Sequence, residues 1–143
     1  MPRAKRKPKP PSAPERDVQA ACLACLRAHG FAPRRRNVGA MENASGRLVR
    51  FGRKGEADIT ATVPSGPNRG KRVEVEVKRP GESPRPEQLE FLRETNRQGG
   101  LAWWIDDPAR LADVLRKVLD GATVEIDADG RQWLVTEDEE RSA

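Results

Sequence analysis

Asp58, Glu74, Glu76 and Lys78 set three carboxyls and an ammonium within 21 residues, a group able to share a cation. Ala57, Ile59, Ala61 and Val63 alternate with Glu56, Asp58, Thr60 and Thr62, and Val73, Val75 and Val77 alternate with Arg72, Glu74, Glu76 and Lys78. That period of two predicts a pair of strands, each with one apolar and one polar face. Residues 64–70, rich in Pro, Gly and Asn, supply turn chemistry between them, so an antiparallel hairpin is expected. Setting Val63 opposite Lys71 sets Asp58 opposite Glu76, with Cβ atoms about 5 Å apart. Carboxylates at that separation repel unless they share a cation. Glu74 points the same way as Glu76, so alternation does not choose between them. The plain alternative is a solvated sheet face laced with cross-strand charge pairs.

The elements that must position this hairpin can be read on either side of it. Ser12 is placed to cap a helix running to His29, with Gly30 stopping it, and Glu15 completes a Ser-x-x-Glu capping box that needs no further role for the acid. Val18, Cys22, Cys25 and His29 form the expected inward stripe, flanked by Ala21 and Leu26, with Glu15, Gln19 and Arg27 on the other face. Cys22-x-x-Cys25 with His29 is a fragment of a zinc site that lacks a second ligand pair, so both cysteines are read as small buried apolar residues.

A short strand is expected over 47–51. Beyond the hairpin, a helix is expected from about Glu87 to Gln98, then a buried strand over 101–105 and a helix capped by Asp107 that turns Leu111, Val114, Leu115 and Val118 inward. Runs 123–126 and 132–135 read as a small terminal hairpin. Trp103 and Trp104 point to opposite faces of their strand, one ring into the core and the other against a helix; no neighbouring aromatic supports base stacking.

At 143 residues, with 34% charged and 4% aromatic residues, the chain suits one domain, over 12–136, between a basic disordered tail (1–11) and an acidic disordered end (137–143). No apolar run approaches the ~20 residues that cross a bilayer. With two cysteines and no secretory signal pattern, a cytoplasmic location is expected. The net charge of +5 is uneven: residues 1–54 carry 14 Lys/Arg against 3 Asp/Glu, and residues 55–143 carry 13 against 19. A polyanion partner follows, nucleic acid before a membrane surface, because the basic residues lie in a tail and loops and not on an amphipathic helix. Arg34, Arg35, Arg36, Asn37, Arg53 and Lys54, just ahead of the acidic strands, are placed to wall a phosphate groove; a solvated loop is the alternative.

Taken in order, Glu15 on the first helix, Arg36-Asn37-x-Gly39, Gly55-x-x-Asp58, Glu76-x-Lys78, then Gln88 early in a helix followed by Gly99-Gly100 and an apolar strand resemble the PD-(D/E)XK nuclease superfamily, most closely its VRR-NUC branch. The resemblance spans about 15–115 and departs at Ala57, where the superfamily usually has proline. It implies an α/β restriction-endonuclease-like core, a mixed central β-sheet flanked by helices. It also implies Mg²⁺ or Mn²⁺ held by Asp58, Glu76 and the Val77 carbonyl, with Glu15 as a further acid, Lys78 orienting the attacking water and Gln88 as a positioning group. Phosphodiester hydrolysis needs an in-line nucleophile and neutralised phosphoryl charge, and a divalent cation with oxygen ligands serves both. The implied function is a metal-dependent, structure-selective DNA endonuclease of phage or bacterial replication, repair or recombination, working as a homodimer or higher oligomer. The alternatives are a nucleic-acid-binding module that does not cut, and a ribonuclease.

Overall fold

The computed structural model describes residues 13–36, 39–42, 44–51 and 54–136. Asn37, Arg53 and both tails lie outside the described residues.

A four-stranded mixed sheet in the order β1-β4-β5-β6 forms the centre. β4 (Ile59–Thr62) pairs antiparallel with β5 (Arg72–Val77), with Ile59 opposite Val75 and Thr62 opposite Arg72, the register expected from the turn. β1 (Arg34–Arg35) adds to the outer side of β4, and β6 (Leu101–Ile105) runs parallel to β5. Parallel neighbours need a crossover, and helix α2 (Pro86–Arg97) provides it. One apolar core gathers Val18, Cys22 and Leu26 of α1 (Glu15–Ala28), Ile59, the three valines of β5, and Leu111, Leu115 and Val118 of α3 (Leu111–Leu119).

The 64–70 turn is pinned from outside the hairpin. Asn68, almost fully buried, donates from Nδ2 to the Val118 and Ala122 carbonyls at 2.9 and 2.8 Å, tying the turn to the end of α3 and the residues just after it. Gly66, at φ +80°, sits so close to α3 that a Cβ would collide with the Leu119 carbonyl oxygen. Asn68→Ala is therefore expected to cost about 2–3 kcal/mol in urea unfolding; a loss below about 0.5 kcal/mol, the level of ordinary surface changes, would contradict this pinning.

Several expectations are corrected. Pro14 is the N-cap of α1 and Glu15 its first helical residue, with no side-chain cap, so Glu15 is not at the third helical position that a capping box requires. The buried stripe of α1 is Val18, Gln19, Cys22 and Leu26: Gln19 turns inward and Ala21 outward, because the packed face follows the i, i+4, i+8 row. Cys25 and His29 are half-buried, and the His29 Nδ1 donates to the Cys25 carbonyl at 2.8 Å, a bond local to the end of α1. Burial pushes the Cys22 thiol up to about 12, which keeps it protonated and inert.

A hairpin of β2 (Gly39–Glu42) and β3 (Leu48–Phe51) stands apart from the central sheet; only β3 was expected. Trp103 is in the core, whereas Trp104, on the other face, is bonded to the terminal hairpin of β7 (Thr123–Ile126) and β8 (Gln132–Val135). Its indole N–H donates to the Gly130 carbonyl at 2.9 Å, and the Gln132 amide bonds its backbone on both sides. Among the described residues no helix is long and apolar enough to cross a membrane.

Candidate active site

Asp58 lies in a bend immediately before β4, and Glu76 is the penultimate residue of β5. Continuing the ladder by one pair from Ile59 and Val75 brings the two acids face to face. The Val77 amide donates to Asp58 Oδ2 at 2.9 Å, tying the aspartate to β5. In an extended strand the N–H and C=O of one residue point to the same side, so the Val77 carbonyl faces the acid pair as well.

Glu76 is only 2% exposed. Its Oε1 accepts from Gln88 Nε2 at 2.9 Å and stands 3.7 Å from the Lys78 ammonium. No donor among the described residues reaches Oε2. Across the ladder this carboxyl meets Asp58, itself an acceptor when ionised. Two facing acceptors need a proton or a cation between them.

Electrostatics follow from that geometry. Burial, then the facing Asp58 charge, raises Glu76 to about 8, with Lys78 opposing. Asp58 is raised by burial, held back by the Val77 amide. Glu15 is raised by burial and then by Asp58, with Lys78 opposing. The sign for stability is fixed by these directions. Between the ordinary glutamate value of 4.5 and about 8, the folded chain holds a proton that the unfolded chain has released. The contribution of Glu76 is therefore greatest below that window and is lost as pH rises through it. With a chelator present, wild-type stability is expected to fall from pH 5 to pH 8.5. Glu76→Gln should lack this fall and exceed wild type by roughly 1–3 kcal/mol at the upper pH. Denaturant melts at both pH values check this, and wild-type stability that rises over the same range would contradict it.

The surrounding pocket, about 630 Å³, is lined by Glu15, Glu56, Asp58, Glu76 and Glu82 against the cations Lys78 and Arg85. Gln88 closes one wall, at the third position of α2, where its Oε1 accepts from the Arg85 amide at 2.9 Å as a helix cap. That bond fixes the amide so that its NH₂ group faces Glu76. Gly55, buried at φ +87°, lets the segment entering Asp58 press against the first turn of α2, where a Cβ would lie 2.7 Å from the Glu87 carbonyl oxygen.

Glu74, fully buried, is a different kind of acid. Its carboxylate accepts from Arg36 at 2.7 and 3.1 Å, from Arg72 at 2.7 Å and from Thr60 at 3.2 Å. With its oxygens occupied, it is a structural ion-pair centre, and Glu76 is left as the carboxylate facing Asp58. Arg36 is thereby redirected: its guanidinium is committed to Glu74 and Glu56, and it does not stand free in a phosphate groove. Arg34, Arg35 and Lys54 are exposed, and Arg35 is close enough to oppose the rise at Asp58.

The site thus brings together Asp58, Glu76, Lys78, Gln88 and, across the pocket, Glu15. Among the described residues no three His, Cys, Asp or Glu side chains form a ready cation cluster, so Asp58 and Glu76 act as a pair and Glu15 stands off from them. Sequence reasoning passed over Glu56, Glu82 and Arg85 as pocket residues. Glu56 carried a usable signal, since it shares the polar face of Asp58. The chain matches no family model, no curated protein and no solved structure.

Proposed function

We propose that this chain is a divalent-cation-dependent nuclease hydrolysing DNA phosphodiester bonds, built on a restriction-endonuclease-like core of the VRR-NUC kind. The observation that carries this reading is the pairing of half-buried Asp58 with buried Glu76, two facing acceptors with no donor at Glu76 Oε2 among the described residues, inside an acid-rich pocket. A hard cation with oxygen ligands fits that donor set, and Asp58, Glu76 and the Val77 carbonyl are the groups that would hold it. When bound, Mg²⁺ or Mn²⁺ supplies neutralisation of phosphoryl charge and a more acidic water.

The remaining roles belong to the chain's own residues. Lys78, nearly buried and on the face of Glu76, has a positive charge placed to orient a nucleophilic water and stabilise charge that builds on the phosphate. Gln88 holds the Glu76 carboxylate in one rotamer. Arg34, Arg35 and Lys54 offer sequence-independent phosphate contacts near the pocket. One pocket per chain serves one strand, so the cutting of both strands or of a junction calls for a homodimer or higher oligomer.

The test is a panel of branched, flapped and linear DNA, with matched RNA, incubated with Mg²⁺ or Mn²⁺. Metal-dependent cleavage of DNA, favouring branched forms, is expected. Cleavage confined to RNA would make the chain a ribonuclease, and retained binding with no cleavage would make it a binding module. Lys78→Met is expected to reduce turnover about 10²-fold with DNA binding little changed; turnover within threefold of wild type would remove Lys78 from the chemistry.

A further inference from the structure

We propose that Arg36 is a positioning residue for Asp58, a role that rests on the nuclease reading for its functional meaning but not for its geometry. Asp58 and the two residues before it precede the first ladder pair of β4 with β5, at Ile59. Something else must hold this segment in place.

Arg36 bonds all three of its residues. Its backbone amide donates to the Asp58 carbonyl at 2.7 Å, Nη1 to the Ala57 carbonyl at 3.0 Å, and Nε to Glu56 Oε2 at 2.8 Å. The same guanidinium grips Glu74 through Nη1 and Nη2, and the Phe91 ring packs 5.7 Å from its centre.

The consequence is a rigid bridge between the two strands that carry the acids. Glu74 lies two residues before Glu76 on β5, so one planar guanidinium joins the backbone beside Asp58 to the strand of Glu76. A planar fork fixes both partners at once, which a lysine ammonium cannot do. Arg36 touches neither acid's carboxylate. Its effect on the site is exerted through the place it gives Asp58.

The reporter is the Val77 amide, which donates to the Asp58 carboxylate and is read by hydrogen exchange without metal or substrate. In Arg36→Lys, Val77 exchange is expected to accelerate about tenfold or more while Val73 and Val75, in the same strand, stay within about twofold. A general loss of stability would move all three together. Mn²⁺ affinity, measured with the metal alone, is expected to fall about 10-fold or more, as for other outer-shell partners of a metal site.

Val77 exchange unchanged in the folded variant, or accelerated no more than Val75, would overturn the proposal. Should Arg36→Lys fail to fold, Glu56→Ala removes the acceptor of the Nε arm at the rim of the pocket. Val77 exchange is then expected to rise about threefold, and an unchanged rate overturns the proposal equally. Wild-type protein that binds no Mn²⁺ would end the nuclease reading, while the exchange data would still judge the clamp.

Discussion

Glu76→Gln is expected to fold and to lose metal-dependent cleavage by about 10³-fold, while binding DNA as well as wild type. The amide keeps the shape of the side chain, and one of its two polar atoms can still pair with Gln88. It removes the charge that Asp58 faces and that a divalent cation needs. The same change relieves two facing carboxyls of their repulsion, so the inactive variant should be the more stable one above pH 8. Gain of stability joined to loss of turnover marks a residue kept for chemistry at a cost to the fold. Cleavage within tenfold of wild type would remove Glu76 from the site.

Glu74→Ala is expected to do the reverse in kind, destabilising the chain by about 3–5 kcal/mol. Glu74 has no exposed surface and joins Arg36, Arg72 and Thr60 in one cluster. Its removal leaves the Arg36 guanidinium, itself largely buried, short of its principal acid. A thermal melt distinguishes the two glutamates before any nuclease assay. A Glu74→Ala chain that keeps wild-type stability and loses only cleavage would mean that Glu74 and Glu76 have been assigned the wrong way round.

That distinction was not legible in the sequence, and the reason is geometric. Glu74 and Glu76 share one face of one strand, and what separates them is an arginine reaching across from the end of β1. No local pattern records a partner 38 residues away. The register was legible, because a turn of Pro, Gly and Asn between alternating runs leaves little freedom in how Val63 and Lys71 meet, and Asp58 and Glu76 follow from it. Gln88 was legible only as a positioning group; its second bond, as a helix cap, explains why the amide has one orientation.

Local signals failed where packing overrode them. Ser12 and Glu15 have capping-box spacing, yet α1 begins at Glu15 with Pro14 before it. Gln19 looked like an outward residue by type, and the core takes it in because it stands beside the Val18–Cys22–Leu26 row. Residues 39–42, Gly-Ala-Met-Glu, have no alternation to mark a strand and become one by pairing with 48–51. Trp104 found the terminal hairpin because Gly130 and Gln132 offer its indole and backbone their polar partners, a match that appears only when the chain is folded.

The central claim is that Asp58 and Glu76 face each other to hold one divalent cation. Calorimetric titration of the wild-type chain with Mn²⁺ near pH 7, repeated in buffers of different ionisation enthalpy, tests it most directly. The account predicts one site per chain with release of about one proton, drawn from the carboxyl pair, and loss of that site in Glu76→Gln but not in Glu82→Gln. No binding up to millimolar Mn²⁺, or binding that survives Glu76→Gln with the same proton release, would contradict it.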